Sequence, residues 1–239
     1  MSANSSVEQS NGKSELSAAI VKRMVQVVVQ FVVIAAMLFI SAGNLKWAWA
    51  WAYLAAGMGI LAVNVLVMPP ELIAERGRIG QEDIKTWDRV LAIPLGLFSL
   101  GTPVVAGLDV RFGWSPQFAL AIHLIGLTFM VLGQGLFTWS MVSNKYFSTS
   151  VRIQMDRDHA VASGGPYRYV RHPGYVGYIT SWFATSLALG SLWALIPAGL
   201  VMCTMVVRTA LEDKTLLEEL DGYQDYAARV RYRLLPGVW

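Results

Sequence analysis

Charge is scarce in this 239-residue chain, and that scarcity is the first indication of its fold class. Only 15% of its residues are charged and 55% are hydrophobic, whereas soluble domains carry about 25% charged residues. The mean hydropathy is +0.47. This composition excludes an ordinary soluble domain and predicts an integral membrane protein.

Cysteine and the familiar catalytic signatures are also nearly absent. The single cysteine, Cys203, lies in an apolar stretch, which excludes an internal disulfide and a cysteine-based metal site. The three histidines are too scattered in the sequence to indicate a metal site, so we expect none. The sequence contains no glycine-rich phosphate loop, no GxSxG elbow and no HExxH motif. Any chemistry must therefore come from polar segments at the membrane edge.

Four uncharged stretches are each long enough to cross a bilayer, which takes about 20 mostly apolar residues. A fifth, residues 172–207, has 36 residues, enough for two short helices joined near Gly190-Ser191. We therefore predict an all-α polytopic membrane bundle of about six transmembrane helices, or five if the last pair is a re-entrant hairpin. The first four stretches are residues 24–45, 47–70, 90–108 and 112–144.

The basic residues favour one orientation of this bundle. With the N-terminus in the cytoplasm, only Lys46 and Arg111 of the 19 Lys and Arg residues fall outside, as the positive-inside rule predicts. Both termini and the long polar loop then face the cytoplasm. If the chain is bacterial, the predicted location is the inner membrane. Orientation and contact with anionic lipid explain the net charge of +3, so we expect no nucleic-acid partner.

Composition divides the chain into two parts. Residues 1–19 are polar and rich in Ser and Asn, which predicts a disordered tail without a cleavable signal peptide. Residues 20–239 predict one integral-membrane domain, with its chemistry-bearing part over 144–236. Residues 71–88 predict a short amphipathic helix on the membrane surface.

Isolated polar side chains occur within the predicted spans. Asn64 and Gln134 are candidates for binding a substrate inside the bundle. A hydrogen bond to a neighbouring helix is the competing interpretation for each, and also for His123. Small residues allow helices to approach closely, so close packing is predicted for the fourth span at Gly126, Gly133 and Gly135.

The densest binding chemistry lies in the run from Gly165 to Tyr175. Gly164-Gly165-Pro166 predicts a turn, and His172-Pro173 suits a helix start with Pro at the first helical position. Two arginines add positive charge, tyrosines add faces that stack on a purine, and free N–H groups at the turn suit an anion. An adenine nucleoside with a charged tail fits this set, although lipid phosphate and the membrane interface explain it equally well.

Two further pairs lie nearer the C-terminus. Arg208 and Glu212 are four residues apart and share a helix face. They predict either an ordinary ion pair or a clamp in which Arg208 holds an acidic group that Glu212 helps to orient. Tyr223 and Tyr226 are three apart, and either close over a ligand or pack in the core.

At these residues the chain resembles the isoprenylcysteine carboxyl methyltransferase family, which is related to the phospholipid methyltransferases. The similar stretch runs from about Asn144 to Pro236, with a weaker match at residues 70–76. Its strongest part is Gly165-Pro166-Tyr167 followed by Arg171-His172-Pro173-Gly174-Tyr175, and Arg208 with Glu212 resembles the family's Arg-x-x-x-Glu pair. The segment of Tyr223 and Tyr226 is one residue shorter than the family's pattern.

The resemblance implies methyl transfer from S-adenosylmethionine to a lipophilic acceptor that enters from the bilayer. It implies a cofactor pocket on the cytoplasmic side, with the catalytic pair Arg208 and Glu212 near the transferred methyl group. Glu212 then either holds Arg208 or faces the sulfonium charge, and Arg208 also orients the acceptor. A carboxylate is the acceptor implied first; a phospholipid or small-molecule amine or thiol is the alternative. The residues that match the cofactor pocket are Gln154, His159, Gly165, Pro166, Tyr167, Arg171, His172, Pro173, Tyr175, Tyr223 and Tyr226.

Two other classes compete with a methyltransferase. Membrane NADPH-dependent sterol reductases carry His-Pro-Asn-Tyr-x-Gly-Glu in a comparable place, whereas Gly174 and Tyr178 replace the Asn and the acidic residue here. That difference favours methyl transfer. A lipid-binding scaffold would not need ligand-binding groups concentrated on one face of the membrane.

Overall fold

The computed structural model describes residues 2–77 and 84–239, with the side chains of residues 2–15 left aside. Within these residues the protein is all-helical and contains no strand, as predicted. Its helices are α1 (Ser2–Ala42), α2 (Ala48–Val67), α3 (Pro70–Gly77), α4 (Thr86–Phe112), α5 (Leu120–Val142), α6 (Pro173–Leu189), α7 (Leu195–Glu219) and α8 (Tyr223–Arg229).

Five helices in the described part of the chain are long and apolar enough to cross a membrane. They are α1 from Leu16 onward, α2, α4, α5 and α7. Helix α6 has 17 residues, about 26 Å of helix, which is close to the shortest length that spans a bilayer. The membrane bundle is thus confirmed with five such helices, while the sixth crossing and the cytoplasmic termini stay predictions.

Two predicted segments differ from the structure at their ends. Helix α1 includes residues 2–19, where a disordered tail was expected, because this stretch has no proline and a single glycine to stop the helix. The surface helix expected over 71–88 is divided: α3 ends at Gly77, residues 78–83 lie outside the described residues, and α4 already begins at Thr86. The division into a tail and one domain stays a prediction.

Helices α5 and α6 approach closely because small residues face each other. A Cβ on Gly133 would lie 2.8 Å from the carbonyl oxygen of Gly177, and a Cβ on Gly177 would lie 2.4 Å from that of Gly133. Gly126 similarly abuts Ala188, whereas Gly135 meets nothing within 4 Å. The predicted close packing is confirmed for Gly126 and Gly133. It fixes the start of α6 beside the end of α5.

The turn between α6 and α7 lies where it was predicted. Gly190 ends α6 with φ of +76°, a conformation that favours glycine. The next residue, Ser191, donates its hydroxyl hydrogen bond to the buried Asp109 of α4. Asp109 also accepts from the backbone N–H and the hydroxyl of Ser115, at 2.7 and 2.6 Å. These bonds tie α4, α6 and α7 together at one end of the bundle.

At the other end, the loop between α5 and α6 is held by side-chain hydrogen bonds rather than by regular structure. Gln154 is 1% exposed and donates from Nε2 to the carbonyl of Tyr146, at 2.6 Å. The Tyr146 hydroxyl donates in turn to the carbonyl of Asp158. Helix α3 is tied to the same loop through Glu75, whose carboxylate lies 3.3 Å from Nη2 of Arg152. The loop therefore forms a fixed wall over the ends of α5 and α6.

Candidate active site

A cavity lies between this loop, the start of α6, the second half of α7 and helix α8. Its volume is about 100 Å³. Most of the predicted site residues meet here although they come from separate parts of the sequence. The predicted residues that line the cavity are Gln154, His159, Tyr167, Arg171, His172, Tyr175, Arg208, Glu212, Tyr223 and Tyr226.

Three predicted cofactor residues shape the backbone instead of lining the cavity. Gly165 has φ of +54°, and a Cβ there would lie 2.3 Å from the hydroxyl oxygen of Ser143. Pro166 is the second residue of the turn Gly165–Arg168, and Pro173 is the first residue of α6, as predicted. Their contribution is to aim neighbouring side chains, so direct contact of these three with a cofactor is not supported.

The predicted substrate residues within the helices also lie away from the cavity lining. Asn64 of α2 accepts a hydrogen bond from the hydroxyl of Thr138 of α5, at 2.5 Å. His123 lies with Nδ1 2.9 Å from the carbonyl oxygen of Ala188, and its ring stacks on Trp49. For both, the interhelical bond accounts for the polar group. Gln134 of α5 is half-buried and does not line the cavity.

Arg208 is held by an acidic residue that the sequence did not single out. Its Nε lies 2.8 Å from Oδ1 of Asp88, and its Nη2 donates to Oδ2 of Asp88 at 3.3 Å and to the carbonyl of Thr149 at 3.0 Å. Its guanidinium lies 5.6 Å from the centre of the Tyr175 ring. Arg208 therefore pairs with Asp88 in the first turn of α4, and not with Glu212, the partner expected from helical spacing.

Glu212 is left to face the cavity with a different partner. The hydroxyl of Tyr175 donates a hydrogen bond to Oε2 of Glu212. The Tyr175 ring in turn stacks on the ring of His172, with the planes 9° apart. Among the described residues, no Lys or Arg nitrogen lies within 4.0 Å of the Glu212 carboxylate. A negative charge thus lies beside two aromatic rings in the cavity wall.

A second acidic residue, Asp213, organises the base of the cavity. It is 0% exposed and accepts hydrogen bonds from the Tyr223 hydroxyl at 2.9 Å and from Nε of Arg233 at 2.8 Å. Its oxygens also lie 3.3 Å from Nε2 of His172 and 3.2 Å from Nη2 of Arg171. One carboxylate thus fixes four side chains from three separate segments.

The C-terminal segment completes this base through its backbone. The N–H groups of Arg171 and His172 donate to the carbonyls of Tyr232 and Arg233, each at 2.9 Å. The turn before α6 was expected to offer free N–H groups to an anion, and these two are already bonded. A charged ligand must therefore be recognised mainly by side chains.

Sequence reasoning missed Asp88, Asp213 and Arg233. For Asp213 a signal was available: Met205, Thr209 and Asp213 follow each other at intervals of four, on one fully buried face of α7. An acidic residue on such a face needs cationic partners. Asp88 and Arg233 gave no such signal, because each meets its partner only through the fold.

Burial sets the protonation of several groups outside the membrane helices. Burial, with a smaller effect from the positive Arg152 and Arg157, lowers the pKa of His159 to about 4. His159 is therefore neutral at pH 7, and its Nδ1 accepts the N–H of Gln154 at 3.3 Å. Burial, followed by the nearby Asp213 carboxylate, raises the pKa of Tyr223 well above its usual range. Tyr223 thus stays a hydrogen-bond donor.

The lining fits a nucleoside with a zwitterionic tail. Nε of Arg171 is buried without a hydrogen-bond acceptor among the residues that the structure describes, so it can take a carboxylate. Glu212 offers the opposite charge, and the rings of His172 and Tyr175 offer stacking surfaces. These are the groups that S-adenosylmethionine needs.

Known proteins share this part of the chain. Residues 121–221 match the family described as phospholipid methyltransferase. The protein-S-isoprenylcysteine O-methyltransferase of Schizosaccharomyces pombe is 31% identical over 107 residues, 44% of this chain and 45% of the relative. The predicted family resemblance is confirmed. The family match over residues 121–221 covers most of the cavity lining.

A second curated relative and a solved structure are also similar to this chain. The protein-S-isoprenylcysteine O-methyltransferase of Saccharomyces cerevisiae is 30% identical over 127 residues, 51% of each chain. The chain thus spans about half the length of the curated relatives it matches. A solved structure of a eukaryotic intramembrane Ras methyltransferase, isoprenylcysteine carboxyl methyltransferase, covers 95% of this chain and 94% of its own, with 17% identity and a TM-score of 0.46.

Proposed function

We propose that this protein is an integral-membrane methyltransferase that transfers a methyl group from S-adenosylmethionine to a lipophilic carboxylate. One observation carries the proposal. In the segment that resembles membrane methyltransferases, a fixed arginine, a cavity-facing carboxylate and an unpartnered buried arginine donor meet at one cavity. The cavity would face the cytoplasm, since the loop that covers it belongs to the positively charged side of the bundle.

The cofactor would be held by side chains of the loop, α6 and α7. When bound, S-adenosylmethionine supplies an electrophilic methyl group on a positively charged sulfur. Arg171 would bind its carboxylate, Glu212 would face its positive charges, and the rings of His172 and Tyr175 would flank its purine. Asp213 would contribute indirectly, because it sets the positions of Arg171 and His172.

Arg208 would orient the acceptor. Its Nε and Nη2 are engaged by Asp88 and Thr149, whereas Nη1 makes none of these contacts and is available to an acidic group. A carboxylate is ionised at neutral pH and is already nucleophilic, so no general base is needed. Alignment and exclusion of water are then the main contributions of the site. Prenylcysteine is the acceptor suggested by the names of the relatives.

An amine acceptor is the alternative, because the matching family is described as phospholipid methyltransferase. An ammonium group must lose a proton before it can accept a methyl group. Glu212 would then act as general base, since among the described residues its carboxylate has no cationic partner within 4.0 Å. The two alternatives differ in their need for Glu212 as a base.

Calorimetric titration of the detergent-purified protein with S-adenosylhomocysteine and, separately, with NADPH tests the reaction class. We expect saturable binding of S-adenosylhomocysteine and none of NADPH. Binding of NADPH alone would contradict the proposal in favour of a reductase. Binding of neither would favour a lipid-binding scaffold. Arg208→Gln should leave S-adenosylhomocysteine binding in place, because Arg208 is assigned to the acceptor.

A further inference from the structure

One buried arginine outside the cavity lacks the acidic partner that the others have. The guanidinium of Arg76 in α3 lies 5.5 Å from the ring centres of both Phe137 and Phe147. Its Nη1 is buried and has no hydrogen-bond acceptor among the described residues. By contrast, Arg152 and Arg208 each pair with a carboxylate. A buried cationic donor without a counter-charge is costly, so an anionic ligand at Nη1 would be stabilising.

A second cation, Arg23, lies on α1, the helix against which α3 packs. Burial, with the positive charge of Arg23 in α1 as the smaller cause, lowers the pKa of Arg76 to about 10. Arg23 donates to the uncharged Gln26, at 3.4 Å. In residues 16–77 and 84–239, no carboxylate oxygen lies within 4.0 Å of either guanidinium. Glu75, next to Arg76, is engaged by Arg152. Two neighbouring positive charges repel each other, and an anion bound between them would offset this repulsion by attracting both.

The position of this pair favours an anion carried by a lipid. Phe147, against which Arg76 lies, also lines the methyl-transfer cavity and packs on Gly174, where a Cβ would lie 2.9 Å from the ring. On the other side, Arg23 belongs to α1, which from Leu16 onward is long and apolar enough to cross a membrane. A ligand at this place would thus lie at the polar end of a membrane helix, where the headgroup of a lipid meets its acyl chains.

We propose that Arg76 and Arg23 bind the phosphate of an anionic phospholipid beside the cavity. The two phenylalanine rings hold the guanidinium of Arg76 in a fixed plane, and Nη1 supplies a charge-assisted hydrogen bond. Arg23 adds a second charge from a separate helix. The site concerns lipid binding only and does not depend on which methyl acceptor the protein uses.

Native mass spectrometry of the full-length protein, titrated with phosphatidylglycerol or phosphatidylcholine, tests this site. Arg76→Gln and Arg23→Gln should each weaken phosphatidylglycerol binding about tenfold, the equivalent of about 1.4 kcal/mol. Phosphatidylcholine binding should change little. The matched control is Arg89→Gln, which removes an exposed positive charge from the start of α4. Unchanged phosphatidylglycerol binding in both test variants, or an equal loss in the control, would overturn the proposal.

Two further measurements keep the result interpretable. Thermal unfolding of each variant shows whether it is folded. Arg23→Gln serves if Arg76→Gln is not folded, because Arg76, unlike Arg23, has a fully buried guanidinium nitrogen. Competition with inorganic phosphate, added at the same concentration as the lipid, distinguishes a lipid headgroup from free phosphate as the ligand. We expect it to leave phosphatidylglycerol bound. Displacement of the lipid by inorganic phosphate would overturn the assignment to a lipid.

Discussion

The Asp213 carboxylate is the structural element whose removal should have the largest effect on the cavity. Asp213→Asn keeps the shape of the side chain but removes the charge that Arg171 and Arg233 share. Arg171 is 8% exposed, and breaking a buried ion pair of this kind costs about 3–5 kcal/mol. The Arg233 pair is a third exposed on the arginine side and adds only about 0–1 kcal/mol.

We therefore expect Asp213→Asn to lower thermal stability clearly and to weaken S-adenosylhomocysteine binding by at least about tenfold. The second effect follows because Arg171 and His172 lose the group that positions them. The measurements are thermal unfolding and calorimetric titration of the purified protein. Asp221→Asn is the matched control, since Asp221 is exposed in the turn before α8. Equal stability and affinity in Asp213→Asn and wild type would refute the role given to Asp213.

Three other predictions follow from single contacts. Asp88→Asn should reduce turnover at least about tenfold while S-adenosylhomocysteine affinity stays within about twofold, because Asp88 positions Arg208. Loss of S-adenosylhomocysteine binding in this variant would contradict the assignment of Arg208 to the acceptor. Gly133→Ala should lower the melting temperature, since its Cβ would meet α6 backbone, whereas Gly135→Ala, which meets nothing within 4 Å, should not. Stability should fall as the pH drops from about 6.5 towards about 4, because His159 takes up a proton at a higher pH in the unfolded chain than in the folded protein. His159→Gln should therefore make the melting temperature less dependent on pH over this range.

Much of the fold follows from the sequence because membrane helices are specified locally. Runs of uncharged apolar residues predict the spans, and Gly190 and Pro173 predict the ends of α6. Gly126 and Gly133 predict close packing, since absent side chains allow backbones to approach. Helix α1 includes residues 2–19, which composition shows to be polar. Composition does not show whether a helix that starts within the membrane stops at such a stretch, and the tail stays a prediction.

Sequence motifs predicted many of the residues that line the cavity. They did not predict Asp88, Asp213 and Arg233, which hold those residues in position. The stretch from Arg171 to Tyr175 and the pair Arg208 and Glu212 converge on one cavity, as expected from their chemistry. Their partners are distant: Asp88 lies 120 residues before Arg208 in the chain. Helical spacing suggested Glu212 as the partner of Arg208 because it considers one helix alone. Pairings between elements depend on packing, which a single sequence does not reveal.

Methyl transfer itself provides the most direct test of the proposed function. Purified protein in bilayer nanodiscs would be incubated with S-adenosylmethionine labelled on the methyl group and with a carboxyl-bearing S-farnesylcysteine derivative. We expect the label to appear as a base-labile methyl ester in wild-type protein and to be absent in Arg208→Gln at equal S-adenosylhomocysteine binding. Label transferred to phosphatidylethanolamine instead would favour the amine alternative. Absence of transfer to either acceptor, in protein that binds S-adenosylhomocysteine, would contradict the account.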